Sequence, residues 1–306
     1  MIYSCTLFYN ELDLLDVKIT EELSGGVDKI VVVEASRTHQ NQEKEVYLED
    51  KVYSTREDFL NPKVQIMVVG KEFDKVMHPN PRIAALQREA IQRNAALEAL
   101  KLKDDDVVIC ADVDEIFPRD EIQEIAQAAL KFGFVKLIQK NFNFKINLFS
   151  PTPWYCPFAV SGKLFRMGRA LGGPLTLNRL RTKEGFKART NGCHFSFVMT
   201  PEQIADKFKA YSHVEFNTPE FTDVGNIEAA IAANTDVCGR ERIKHLIPVE
   251  IDERWPLVMR ENLTKWKHFI VEPICTLDDI KVPEINLTPM PDVEVDFYNE
   301  VNDLPK

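Results

Sequence analysis

The sequence predicts an α/β fold: a mostly parallel central sheet flanked by helices, with antiparallel strands in its second half. Three observations carry that expectation. Apolar, β-branched runs such as Lys29–Ala35 and Val107–Ala111 have the length of buried parallel strands. They alternate with amphipathic stretches over the first two thirds of the chain, the pattern of a doubly wound sheet. After Gly133 the apolar residues instead alternate with polar ones, as in antiparallel strands with one solvated face.

Taken in order, Ile2–Phe8 reads as the first strand and Glu11–Leu23 as a helix stopped by Gly25 and Gly26. Lys29–Glu34 and Lys63–Val69 are the next strands, followed by a long helix from Pro81 to Lys101. Asp106–Ala111 is a further apolar strand that runs straight into acidic residues, and Arg119–Phe132 is a helix. Beyond it, Phe142–Phe149, Val160–Met167 and Gly192–Phe197 are strand-like. Gly168–Arg189, rich in glycine and basic residues, reads as a loop. Thr200-Pro201-Glu202-Gln203 opens a helix, with Thr200 as cap, Pro201 in the first position and Gln203 completing a capping box. Prolines recur from Pro248, and the end of the chain reads as an extended tail. One domain over residues 1–245, in two halves (1–132 and 133–245), is expected, with 246–306 an extension packed on it.

Composition narrows the function. The chain has 306 residues, 44% of them hydrophobic, enough for a large core. The net charge of −10 argues against a general nucleic-acid binder. Six scattered cysteines without a CxxC pair suggest reduced thiols, with Cys5 and Cys110 as small core residues. No run approaches the ~18 apolar residues of a membrane span, and Met1–Cys5 lacks the features of a signal peptide. A soluble, cytoplasmic protein without a membrane anchor is the expectation.

The chemistry concentrates at Val107-Val108-Ile109-Cys110-Ala111-Asp112-Val113-Asp114-Glu115. A buried strand delivers three carboxylates at its carboxyl end, where open α/β sheets bind ligands. Asp112 and Asp114 can turn toward one cation once the chain leaves the sheet, and hard oxygen ligands suit Mg²⁺ or Mn²⁺ bridging to a diphosphate. The same acids also suit a solvated, helix-capping loop. A phosphatase of the haloacid-dehalogenase type would use Asp112 as nucleophile and Asp114 as acid/base, but it needs a second acidic pair after a strand, which Asp278-Asp279 does not follow.

Two further sites stand out. On the 81–101 helix Arg93 falls inside the apolar stripe, with Asn94 at its margin. A buried guanidinium needs a partner, either a diphosphate and the Asp112 cluster or a structural core carboxylate. In Gly192-Cys193-His194-Phe195-Ser196, His194 points away from the face shared by Cys193 and Phe195. It is a metal ligand or proton acceptor in one reading and a structural histidine in the other.

These blocks resemble glycosyltransferase family 17. The resemblance rests on Phe8-Tyr9-Asn10-Glu11-Leu12-Asp13-Leu14-Leu15, on Val27–Ala35, on Gln92-Arg93-Asn94, on Asp112-Val113-Asp114-Glu115-Ile116 and on Gly192–Ser196, in order from about residue 3 to 220. It implies a GT-A-like fold with residues 1–132 as the nucleotide-sugar half and 133–245 as the acceptor half. It also implies a UDP-sugar donor carrying N-acetylglucosamine, a glycan acceptor, and inversion at the anomeric carbon. Two departures stand out: Cys193 sits where the family has tryptophan, which affects the expected acceptor pocket, and Phe117 separates Ile116 from Pro118.

On this resemblance Asp112, Asp114 and His194 hold Mn²⁺ or Mg²⁺, and Arg93 counters phosphate charge. Asn10, Glu11, Glu34, Asn94 and Asp112 contribute to the donor site. Inverting transfer needs a carboxylate base for the acceptor hydroxyl, for which Glu215 and Glu115 are the candidates. A non-catalytic carbohydrate-binding protein remains the alternative to both enzymes.

Overall fold

The computed structural model describes residues 1–48, 61–170, 176–183, 185–240 and 245–281. Among the described residues ten strands form one sheet: β1 (Ile2–Phe8), β2 (Lys29–Ala35), β3 (Val64–Val69), β4 (Val107–Cys110), β5 (Glu115–Ile116), β6 (Phe134–Asn143), β7 (Leu148–Trp154), β8 (Phe158–Ser161), β9 (Phe186–Ser196) and β10 (Ile247–Pro248). The order is β10-β7-β6-β8-β4-β1-β2-β3, with β9 alongside β6 and β5 alongside β9. Strands β3, β2, β1 and β4 run parallel; β4, β8, β6, β7 and β10 pair antiparallel, while β9 is parallel to β6.

Helices cover both faces of the parallel half because its strands are apolar on both. Ile30, Val32, Val107 and Ile109 pack with Leu15 and Ile19 of α1 (Leu12–Ser24) and Ile125 of α3 (Ile122–Phe132). Val31, Val33, Val108 and Cys110 pack on the other face with Ala96, at the end of α2 (Pro81–Ala95). The strand ends at Phe8, Ala35 and Cys110 therefore share one edge, and the chain leaves it through Asn10–Glu11 and through Asp112–Glu115.

The second half departs from the sequence expectation in three places. Phe142–Phe149 is not one strand: β6 stops at Asn143, Phe144 takes φ 65°, and β7 begins at Leu148. The alternation arises because the turn buries Phe144 and Ile146, while Asn147 bonds the backbone of Val249 and Val271. Val160–Met167 is split by Gly162, where β8 gives way to helix α4 (Gly162–Ala170). A Cβ there would lie 1.9 Å from the Lys103 carbonyl oxygen, so only glycine fits the switch. Within Gly168–Arg189, helix α5 (Leu177–Thr182) is capped by the Thr176 hydroxyl, which accepts from the Arg179 N–H, and β9 starts at Phe186. Helix α6 (Pro201–Ala210) carries the capping box that its sequence predicts.

The described part of the C-terminal extension joins the same core: Trp255 is fully buried against Phe142, its indole donating to the Ile146 carbonyl. Residues 282–306, where the tail is expected, lie outside the described residues.

Candidate active site

The site forms where β4, β5 and β9 meet. After β4 the chain turns so that the Glu115 N–H reaches the Asp112 carbonyl, and β5 then pairs with β9 with Glu115 opposite His194. Lys18 of α1, fully buried beside Glu22, donates to the Glu115 carbonyl at 2.9 Å and fixes β5 from behind.

Asp112 and Glu115 are bound to arginines. Arg93, 1% exposed on α2, pairs with one Asp112 oxygen and with Glu89 at 2.8 Å. Arg181, on α5, reaches the other Asp112 oxygen at 2.7 Å and both Glu115 oxygens at 2.6 and 3.0 Å. Glu115 also accepts from the Trp154 indole at 2.5 Å and from the Asp112 N–H at 2.6 Å. Burial opposes both charges, but Arg181 and Arg93 outweigh it at Asp112, and Arg181 at Glu115, so both carboxyls titrate below their usual range.

Asp114 is different. Its carboxylate faces Lys207 of α6 and the Nε2 of His194, each at 3.8 Å, too far for a hydrogen bond. Burial, with Glu11, Glu115 and Asp112 near it, outweighs Lys207 and pushes the carboxyl up to about 7. His194 is likewise held neutral, burial lowering it to about 3. Its tautomer is set by Asn141: that amide donates to the Thr152 carbonyl at 3.3 Å, leaving its oxygen to accept from His194 Nδ1 at 3.0 Å. Nε2 is therefore the unprotonated nitrogen, 3.8 Å from Asp114. Trp154 stacks on the imidazole, centroids 4.1 Å apart, and locks the ring plane.

The remaining residues singled out in the sequence divide. Glu11 joins the cluster through Lys207, at 2.7 Å, and caps the Asn10 N–H at 3.1 Å. Glu34 stands apart, accepting from Lys44 at 2.7 Å and from the N–H groups of Tyr47 and Leu48 at 2.9 Å, so it orders the chain after β2. Asn94 accepts from the Asn178 N–H at 3.0 Å and thereby anchors the helix that carries Arg181. Glu215 bonds His213 at 3.0 Å and lies 3.4 Å from Arg82. Arg82 precedes Glu89 by two helical turns on α2, about 10 Å, so Glu215 sits on the rim of the site rather than in the cluster. Cys193 is fully buried in the core face of β9 near the Arg254 carbonyl, and Phe117 packs close to Gly192.

Four contributors were not found in the sequence: Arg181, Lys207, Trp154 and Asn141. Arg181 lay in a stretch read as loop, and the others carried no spacing signal.

The family model of glycosyltransferase family 17 matches residues 1–242. The chain belongs to that family. It is therefore a glycosyltransferase, and its sheet, parallel in one half and antiparallel in the other between layers of helix, is GT-A-like. No curated protein matches the chain in sequence. Among solved structures it is similar to a mannosyltransferase from Pyrobaculum calidifontis in complex with GDP-mannose and Mn²⁺ (13% identity, 75% of this chain and 69% of that one, TM-score 0.38). It is also similar to residues 1–349 of TarS from Staphylococcus aureus (14% identity, 67% and 62%, TM-score 0.33). A third is Rv0371c from Mycobacterium tuberculosis with manganese (10% identity, 62% and 87%, TM-score 0.34). Among the described residues of this family 17 chain, no helix is long and apolar enough to cross a membrane.

Proposed function

We propose that this family 17 enzyme transfers N-acetylglucosamine from its UDP-linked donor to a glycan hydroxyl, with inversion, using a divalent cation held by Asp114 and His194. The observation that supports this reading most is the pairing of the Asp114 carboxylate, 13% exposed and without a hydrogen bond among the described residues, with the unprotonated Nε2 of His194 at 3.8 Å. Among the described residues no three acidic, histidine or cysteine side chains cluster to hold an ion. Two protein ligands with donor phosphates completing the shell is the arrangement that Mg²⁺ and Mn²⁺ adopt at nucleotide sites. The imidazole favours Mn²⁺ over the harder Mg²⁺. When bound, the cation supplies Lewis-acid neutralisation of the departing diphosphate.

The chain's own residues do the rest. Arg93 and Arg181 hold Asp112 in place, and Arg181, 11% exposed at the mouth, presents positive charge to the phosphates. Asn10 and Glu11, beside Lys207 at the end of β1, flank the nucleoside. Asn94 acts through the α5 anchor and Glu34 through the chain segment after β2. Of the two glutamates considered as base, Glu115 is fully buried with both oxygens engaged, whereas Glu215 is 35% exposed on the rim. Glu215 therefore takes the acceptor proton.

Neither alternative gains support. Asp112 as a phosphatase nucleophile would need a free carboxylate oxygen, and two arginines hold both; Asp278 and Asp279 pair instead with Arg254 and Thr276. A binding protein would have no use for that paired set. Incubation with UDP-sugars and Mn²⁺, measuring UDP release, tests the proposal: release that depends on the metal supports it, and phosphate release from simple esters contradicts it.

A further inference from the structure

Residues 162–189 contain eight lysines and arginines and one acid, in a chain whose net charge is −10. The described part of this segment adjoins an apolar surface. Phe132, at the end of α3, and Phe186, at the start of β9, stack with centroids 4.1 Å apart, yet are 45% and 51% exposed. Leu164 of α4 lies over Gly133, next to Phe132 in the chain, and Met167 one turn on is half exposed. Lys131 sits over the Phe132 ring at 5.1 Å, and Lys163 is exposed one turn before Met167. On the opposite flank of α4, Leu97, Leu100, Leu102 and Phe165 line a pocket of about 190 Å³ with Arg166 at its lip.

Stacked aromatics left in water beside exposed Leu and Met side chains mark a surface that docks. Charge complementarity decides the partner. The chain as a whole is acidic, so an anionic surface is met most favourably through a face that carries lysines. A soluble polyanion would engage the lysines but would have no use for the phenylalanines, whereas a lipid interface engages both. We propose that the face formed by Phe132, Leu164, Met167 and Phe186, with Lys131 and Lys163, docks on a bilayer containing anionic lipid. The apolar side chains enter the interface and the ammonium groups meet the phosphates. The segment then continues to α5, which carries Arg181 into the cluster at Asp112, so the docked face and the site are parts of one structure. Docking does not depend on the donor or the cation assigned above.

Co-sedimentation of the full chain tests it, using phosphatidylcholine vesicles with and without roughly 30% phosphatidylglycerol. At least tenfold more protein pellets with the anionic vesicles, and the difference shrinks as salt rises. Leu164→Glu combined with Met167→Glu removes at least tenfold of that binding while circular dichroism and metal-supported UDP binding stay as in the parent. Lys163→Glu, an exposed charge change with no folding role, weakens it in the same direction and serves if the double variant misfolds. Absence of pelleting, equal pelleting with neutral vesicles, or undiminished binding by folded variants overturns the proposal. Retention by dextran sulfate without vesicle binding also overturns it, assigning the face to a soluble polyanion.

Discussion

Asp114 and His194 face each other at 3.8 Å across the junction of β5 and β9, His194 buried and Asp114 13% exposed, with the unprotonated Nε2 of the imidazole nearest the carboxylate. A cation between the two groups would take both as ligands.

Asp114→Ala should therefore abolish Mn²⁺-supported UDP binding without harming the fold. Among the described residues the carboxyl makes no hydrogen bond, and desolvation already disfavours its charge. Calorimetric titration of UDP with Mn²⁺ should show heat for the parent and none for the variant. Its melting temperature without metal should equal or exceed the parent's.

The pH dependence follows from the same carboxyl. Folding raises it from its ordinary value, 3.8, to about 7. Between those values the folded chain holds the proton more tightly than the unfolded one, so this group's contribution to stability is present below pH 4 and is lost as pH rises to 7. A cation competes with that proton. The rise in melting temperature caused by Mn²⁺ should be larger at pH 8 than at pH 6, and equal shifts would count against Asp114 as ligand.

Arg93→Ala removes the cation shared by Asp112 and Glu89, 25% and 23% exposed, and leaves Asp112 with Arg181 and Glu89 with the Ser212 hydroxyl. Loss of one charged hydrogen-bond partner of this kind costs about 1.5–3 kcal/mol. Urea unfolding should show a midpoint lowered accordingly, with activity lost as well. An unchanged midpoint would mean that Arg93 carries no structural charge balance.

Gly192→Ala tests the support of β9. A Cβ at that position would come within 2.7 Å of the Gln139 amide and the Phe117 ring. Overpacking of this kind costs about 1–3 kcal/mol. The variant should melt lower, and Mn²⁺ should bind more weakly because His194 lies two residues on.

The parallel half of the fold was legible because its strands are apolar on both faces, a signal independent of context. Asp112, Asp114 and Arg93 were legible for the same reason: a charge at the end of, or inside, an apolar pattern demands a partner. The antiparallel half was not. The turn at Phe144 buries its own side chains and so copies the alternation of a strand, and Gly162 turns strand to helix through a clash with Lys103 that only the tertiary structure creates. Arg181 went unread because α5 has six residues, too few to show a period, and reaches Asp112 through space across 69 positions of chain.

The most direct test of the central claim is anomalous diffraction at the manganese edge from crystals grown with Mn²⁺ and UDP. One peak is expected about 2.1 Å from an Asp114 oxygen, in contact with His194 Nε2 and with the UDP phosphates. A manganese ion bound to the diphosphate elsewhere, with Asp114 and His194 still 3.8 Å apart and nothing between them, would contradict it.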